Sequence, residues 1–254
     1  MVKVPKLVLT LVLFCLNFNL YSQKSIFSLD NAQPASSQKL EVIDHTYFRL
    51  GYNAKHKNSS WVAYILTKQM VSTKNVERAK SFKKDKSVSV SALSTDYNNS
   101  GYDRGHLCPA ADMAWKEEAM KTTFLMSNIS PQMPQFNRGK WKALEEKVRS
   151  WAADNDSIIV ITGAILDNCS KGKIGKNKVS VPCRFYKIVI DISYPTYKAI
   201  AFVMDNDNLD NDIFTYVVSI SDIELATSLD FFPAFKSNST ITDLEHSTDV
   251  LQWK

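Results

Sequence analysis

"GYDRGHLCPAADM", residues 101–113, sets an acid, a base, a glycine and an imidazole side by side, Asp103 to His106. Ionised side chains are rarely fully buried without partners, so these four residues cannot all belong to a core. Two readings fit them in isolation. One is a polar turn bent at Gly105. The other is an active-site strand end, where the glycine lets backbone approach a ligand, a cation meets an anion and the histidine moves a proton. The flanking sequence has to choose between them.

Downstream, "NRGKWKALEEKVRSWAADN" (137–155) is the strongest helix pattern in the chain, with Trp141, Leu144, Val148 and Trp151 at helical spacing among good helix formers. Asn137, Trp141, Glu145 and Arg149 follow at steps of four, a slowly drifting stripe on one side with Asn137 at its N-terminal end. Taken singly, Asn137 reads equally as an N-cap, and Glu145 with Arg149 as a surface ion pair worth about 0.3–0.5 kcal/mol. Taken together, they present an amide oxygen, a carboxylate and a guanidinium near a helix start that favours anions. Hard oxygen ligands with few direct protein contacts suit a hydrated Mg²⁺.

"HTYFRLGYN" and "WVAYILTKQM" read as strands of a hairpin across "AKHKNSS". The stretch before the motif is polar and irregular, "WKEEAMKTTF" is a short helix, and "LMSNISPQMPQF" is a loop broken by two prolines. "SIIVITGAIL", "FYKIVIDIS" and "YKAIAFVMD" are buried or half-buried strands, and "IFTYVVSISDIELATSLDFF" closes the fold with a strand and a short helix. Few strand–helix–strand repeats occur, so the expected class is α+β around an antiparallel or mixed sheet with flanking helices.

The first residues, "MVKVPKLVLTLVLFCLNFNLYSQ", join Lys3 and Lys6 to a short apolar run and end in small and polar residues. Residues 1–22 therefore read as a secretory signal peptide cleaved near Ser22, with export to the periplasm or the exterior. The run is too short to span a bilayer, and no later stretch is both long and uncharged. Bulky Phe14 before Cys15 argues against a lipid anchor. Residues 23–40, rich in Ser, Gln and Asn, read as a flexible leader. The net charge of +5, two units of it from the signal lysines, permits binding to a phosphate polymer without requiring it. Beyond the signal peptide stand Cys108, Cys169 and Cys183. Cys169 with Cys183 is the economical pair in an oxidising compartment, leaving Cys108 free, and no spacing suits a structural zinc.

"YDRGHLCPAADM" followed by "FLMSNISPQMPQFNRGKWKALEEKVR" resembles the DNA/RNA non-specific endonuclease family, and the likeness extends through "ITGAIL", "VPCRFYKIVI" and "LDFFP". The resemblance implies a ββα-metal (His-Me finger) active-site motif within one endonuclease domain, residues 41–254. It implies Mg²⁺-dependent hydrolysis of DNA and RNA to 5′-phosphorylated products, with Mn²⁺ or another divalent ion as a substitute. His106 is similar to the family's general base, Asn137 to its single direct metal ligand, and Glu145 to the carboxylate that orients the metal's waters. Arg104 and Arg149 match the cations that stabilise the charged transition state. Asn128 matches a supporting polar residue, and Arg78 is matched to an upstream arginine of the site. Many relatives are dimers, so a homodimer is allowed, and no membrane partner is expected. Two other functions use the same residues differently: a phosphodiesterase or pyrophosphatase for small nucleotides, and a nucleic-acid-binding relative without chemistry. The lysine-rich "KSFKKDK" and "KGKIGKNK" are each either a phosphate track or a solvated loop.

Overall fold

The computed structural model describes residues 28–73, 75–193, 197–235 and 237–254, except the side chains of 167–169. The expected signal peptide lies outside these residues. In chain order the elements are β1 (Ala35–Ser36), β2 (Glu41–Asp44), β3 (Arg49–Asn53), β4 (Asn58–Thr67), α1 (Lys68–Ser72), β5 (Asp103–His106), α2 (Glu117–Thr123), β6 (Ile129–Gln132), α3 (Pro134–Arg138), α4 (Lys140–Asp154), β7 (Ser157–Ile174), β8 (Val179–Asp191), β9 (Lys198–Asp205), β10 (Val217–Val218), α5 (Ile220–Thr227), β11 (Leu229–Asp230) and α6 (Ser239–His246). Seven strands form one antiparallel sheet in the order β10-β9-β8-β7-β4-β3-β2.

The central strands read as unbroken apolar runs because both faces of this sheet are covered. Alternate residues of β4, β7 and β8 sort to the two sides. Tyr64, Leu66, Val160, Phe185 and Val189 pack with Trp141, Leu144, Val148 and Trp151 of α4. Trp61, Ile159, Ile161, Tyr186 and Ile188 pack with Ile220 and Ile223 of α5 and with Ile241 and Leu244 of α6. The helix layer that carries α4 also carries the separate two-stranded ribbon β5-β6.

Four local readings of the sequence need correction. The proline-broken loop is partly strand: Ile129–Gln132 pairs with β5, and Pro131 opposes Arg104. β6 has a ladder partner on one side only, so the missing proline N–H costs no pairing. Next, the long helix is broken. Gly139 separates α3 from α4 and caps α4, so Asn137 stands in α3 and is neither its N-cap nor part of the α4 stripe. A Cβ at Gly139 would lie 2.3 Å from the Gln135 carbonyl oxygen, a contact open only to glycine. Third, the described part of the expected flexible leader is seated: Ala32 is buried and β1 pairs with β11. Finally, β2 was not expected; it pairs with β3 and extends the anticipated β3–β4 hairpin, whose turn is shorter than expected because Asn58 already belongs to β4. Cys183 is disulfide-bonded and Cys108 is free and buried, while the expected partner Cys169 lies among the side chains not described. Among the described residues, no helix is long and apolar enough to cross a membrane.

Candidate active site

The strand period of two decides where the 103–106 residues point. Asp103 and Arg104 are neighbours in β5 and turn to opposite sides, so the expected pairing of anion and cation within the motif does not form. Asp103 accepts hydrogen bonds from Asn137 Nδ2 (2.9 Å) and from Arg138 Nε and Nη2 (2.8 and 2.7 Å). Arg104 instead donates to the Ser94 carbonyl, the Ser94 hydroxyl and Asn98 Oδ1. Gly105 also has a role other than the one expected. A Cβ there would lie 2.1 Å from the side chain of buried Gln132 across the ribbon, so the glycine admits a neighbouring side chain rather than a ligand.

Two residues beyond Arg104, His106 is buried against aromatic rings, with Phe82 at 5.5 Å and Phe124 at 4.9 Å. Its Nε2 makes no hydrogen bond within the protein. Burial, reinforced by the Arg78 charge, pulls the imidazole pKa down to about 3, away from the near-neutral value expected of an unperturbed histidine. Asn128 is buried behind this histidine. It accepts from Cys108 N–H and donates to the Cys108 and Thr123 carbonyls, which pins the chain just after His106.

The opposite wall comes from α3 and α4. Arg149 donates to the nearly inaccessible carboxylate of Asp112 (2.9 Å), which also accepts from Tyr64 Oη (2.7 Å). Half-buried Glu145 has its carboxyl raised to about 7 by desolvation, against the pull of Lys187 and Arg149. Lys187 on β8 is wholly buried beneath α4, with its Nζ 4.7 Å from the Trp141 ring centre and no hydrogen bond. Burial lowers its pKa.

A cleft of about 350 Å³ gathers Arg78, Arg104, His106, Asn137, Glu145 and Arg149 on one lining, together with Arg138 and Lys142. Six of the seven residues expected from sequence therefore meet in one place, and Asn128 stands behind them. Sequence reading missed Asp103, Arg138, Asp112 and Lys187. The first was visible in the motif but assigned the wrong partner, and Lys187 was signalled by a lone charge inside the apolar run "FYKIVID".

Asn137 and Glu145 fit a hard divalent cation. Because the Asp103 carboxylate can only accept, it takes the amide hydrogens of Asn137 and leaves Oδ1 as the free ligand. Among the described residues no group of three or more His, Cys, Asp or Glu side chains could hold a metal ion.

The DNA/RNA non-specific endonuclease family model matches residues 28–238. A nuclease of Nostoc sp. (strain PCC 7120 / SAG 25.82 / UTEX 2576) is 34% identical over 238 residues, 87% of this chain and 85% of its own length. Mitochondrial endonuclease G of Homo sapiens is 34% identical over 198 residues, 72% of this chain and 67% of its own. A chain in the crystal structure of an EndoG/EndoGI complex superposes with a TM-score of 0.72 at 31% identity, covering 77% of this chain and 86% of that one. The antiparallel sheet, the ribbon-and-helix cleft and these likenesses agree that the chain is a nuclease and belongs to the DNA/RNA non-specific endonuclease family.

Proposed function

We propose that this nuclease is exported after loss of residues 1–22 and hydrolyses phosphodiester bonds of DNA and RNA with little sequence preference, leaving 5′-phosphates, in a Mg²⁺-dependent reaction that Mn²⁺ also supports. The observation that carries this reading is the single cleft whose lining brings together His106, Asn137 and Glu145 among the arginines Arg78, Arg104 and Arg149.

The His106 imidazole would take a proton from the attacking water. An imidazole with its pKa near 3 is neutral at pH 7 and free to accept, but it is a weak base. A phosphodiester anion in the cleft would offset the Arg78 charge, the smaller of the two causes, and so raise the pKa in part. Asn137 would hold the divalent cation directly and Glu145 would hold it through water. When bound, that ion supplies a Lewis acid for the departing oxygen. Arg104 and Arg149 are fixed in advance, so they meet the negative charge that gathers on the nonbridging oxygens without reorganising. Phosphate-directed cations read the backbone that all sequences share, and binding should weaken with salt.

The test is incubation of residues 23–254 with supercoiled plasmid and with single-stranded RNA, with and without Mg²⁺, beside His106→Ala and Asn137→Ala. Mg²⁺-dependent loss of both polymers, reduced about 10²–10⁴-fold in His106→Ala, is the expected result. Full activity in either variant would remove these assignments, and cleavage of dinucleotides alone would favour a small-nucleotide phosphodiesterase.

A further inference from the structure

Residues 78–86, "RAKSFKKDK", alternate between anchors and lysines. Arg78 lines the cleft, and Ala79 and Phe82 pack on the apolar cluster of Ala110, Met120 and Phe124. Phe82 also touches His106 and lies 5.7 Å below the Arg104 guanidinium. The Lys83 backbone is held on both sides: its N–H donates to the Phe124 carbonyl, and its own carbonyl accepts from Met126 N–H, each at 2.9 Å. Buried Asp85 bonds to His45, Ser127 and Ser87 N–H, which hold its carboxyl down at about 2 although burial pushes it upward.

Lys80, Lys83, Lys84 and Lys86 are all exposed, and none forms an ion pair among the described residues. A stiff segment thus holds four uncompensated cations in a row, an arrangement whose self-repulsion a polyanion relieves. The other lysine-rich stretch, 171–178, differs. Lys171 is committed to Asp207 and to the Asn206 carbonyl, and no residue of that stretch lines the cleft.

We propose that residues 78–86 are a polynucleotide rail that continues from the catalytic cleft and binds the phosphates of a single strand beyond the one being cleaved. Phe82 sets its alignment with His106 and Arg104. Six residues of extended chain reach at most ~20 Å, the axial rise of roughly six nucleotides of a B-form strand. The rail therefore serves polymers and contributes nothing to a substrate with one phosphodiester. The proposal rests on the nuclease reading of the cleft.

The experiment compares Lys80→Ala/Lys83→Ala/Lys84→Ala with the charge-matched Lys173→Ala/Lys176→Ala/Lys178→Ala. Two assays are used: cleavage of long single-stranded DNA against a thymidine p-nitrophenyl phosphodiester, and the salt dependence of binding to a fluorescent 20-nucleotide strand in a His106→Ala background. For the rail variant we expect KM on the polymer to rise about tenfold with kcat unchanged. The small diester should turn over within twofold of the parent protein. The slope of log affinity against log salt should shrink by about 2, at ~0.7 per lost contact with single strands. The comparison variant should retain both the parent KM and the parent slope. Equal slopes in the two variants, or equal loss on polymer and small diester, would overturn the rail. If the parent protein cleaves neither the polymer nor the small diester, the nuclease reading fails by itself, and the binding assay still judges the rail.

Discussion

The two walls of the cleft each present an arginine, and they hold it in different ways. On the ribbon wall, Arg104 is tied by neutral acceptors, the Ser94 carbonyl and hydroxyl and Asn98 Oδ1, and donates no hydrogen bond to a carboxylate among the described residues. On the helix wall, Arg149 is tied to Asp112, a carboxylate only 1% exposed, so much of its charge answers a buried anion. On the reading proposed above, the ribbon wall would meet the phosphates. The helix wall is a network of two carboxylates, Asp112 and Glu145, and two cations, Arg149 and Lys187, whose formal charges cancel. A cleft built this way would, on the proposed function, separate the task of attracting the polymer from the task of holding the ion.

The largest expected effect breaks this contrast directly. Arg149→Met strands Asp112 with only the Tyr64 hydroxyl, and removing one member of a buried pair costs about 3–5 kcal/mol. Arg104→Met releases half-exposed neutral acceptors, and the cost should be about 1 kcal/mol. Both should lose most of their activity. Urea midpoints of the two variants decide the matter, and equal destabilisation would show that the walls are not held differently.

Next comes acid stability. The folded His106 pKa, near 3, lies below the ~6.5 of an unfolded chain, so between these values the unfolded state binds more protons. The contribution is fully present above about pH 6.5 and is lost as pH falls through the window toward 3, at up to ~1.4 kcal/mol per unit. Asp103 and Asp85, both lowered, lose their contributions only at and below the ordinary carboxylate range. His106→Asn should therefore flatten the stability profile between pH 6.5 and 4 and leave the steeper loss below it. An unchanged slope in that upper window would mean that the imidazole is already hydrated or paired in solution.

How much of this was legible in the sequence follows from the range of each interaction. The central strands were legible because their apolar runs and lengths are local. So was much of the membership of the cleft, because Arg104, His106, Asn137, Glu145 and Arg149 carry uncommon chemistry at recognisable spacing. The break at Gly139 was not. A single glycine is tolerated in a helix for about 1 kcal/mol, and what forbids continuation here is a contact with the Gln135 carbonyl that exists only after folding. Pro131 read as a loop residue because the text cannot show that β6 leaves one edge unpaired. The anchoring of 78–86 was hidden for a similar reason: one phenylalanine among lysines becomes meaningful only when Phe124 and His106 are seen against it.

The smallest of these effects concerns Asp103, which joins the two walls. It sits on the ribbon, yet its Oδ2 holds Asn137 of the helix side by the amide nitrogen, while Arg138 donates to both of its oxygens. An aspartate there has no hydrogen to give, so Asn137 has one orientation, with Oδ1 turned away from Asp103 and free for a ligand. Asp103→Asn keeps the shape but can donate as well as accept, so the Asn137 amide gains a flipped state of similar energy that presents nitrogen to the cation. The bidentate Arg138 pairing also loses its charge, although Arg138 itself is largely exposed. The loss should therefore appear as a metal effect: about 10–100-fold weaker apparent affinity for Mg²⁺, largely restored at saturating ion, with the urea midpoint nearly unchanged. If the variant instead loses kcat at saturating Mg²⁺ with unaltered ion affinity, Asp103 acts on the substrate side, and the division of labour between the walls would have to be redrawn around it.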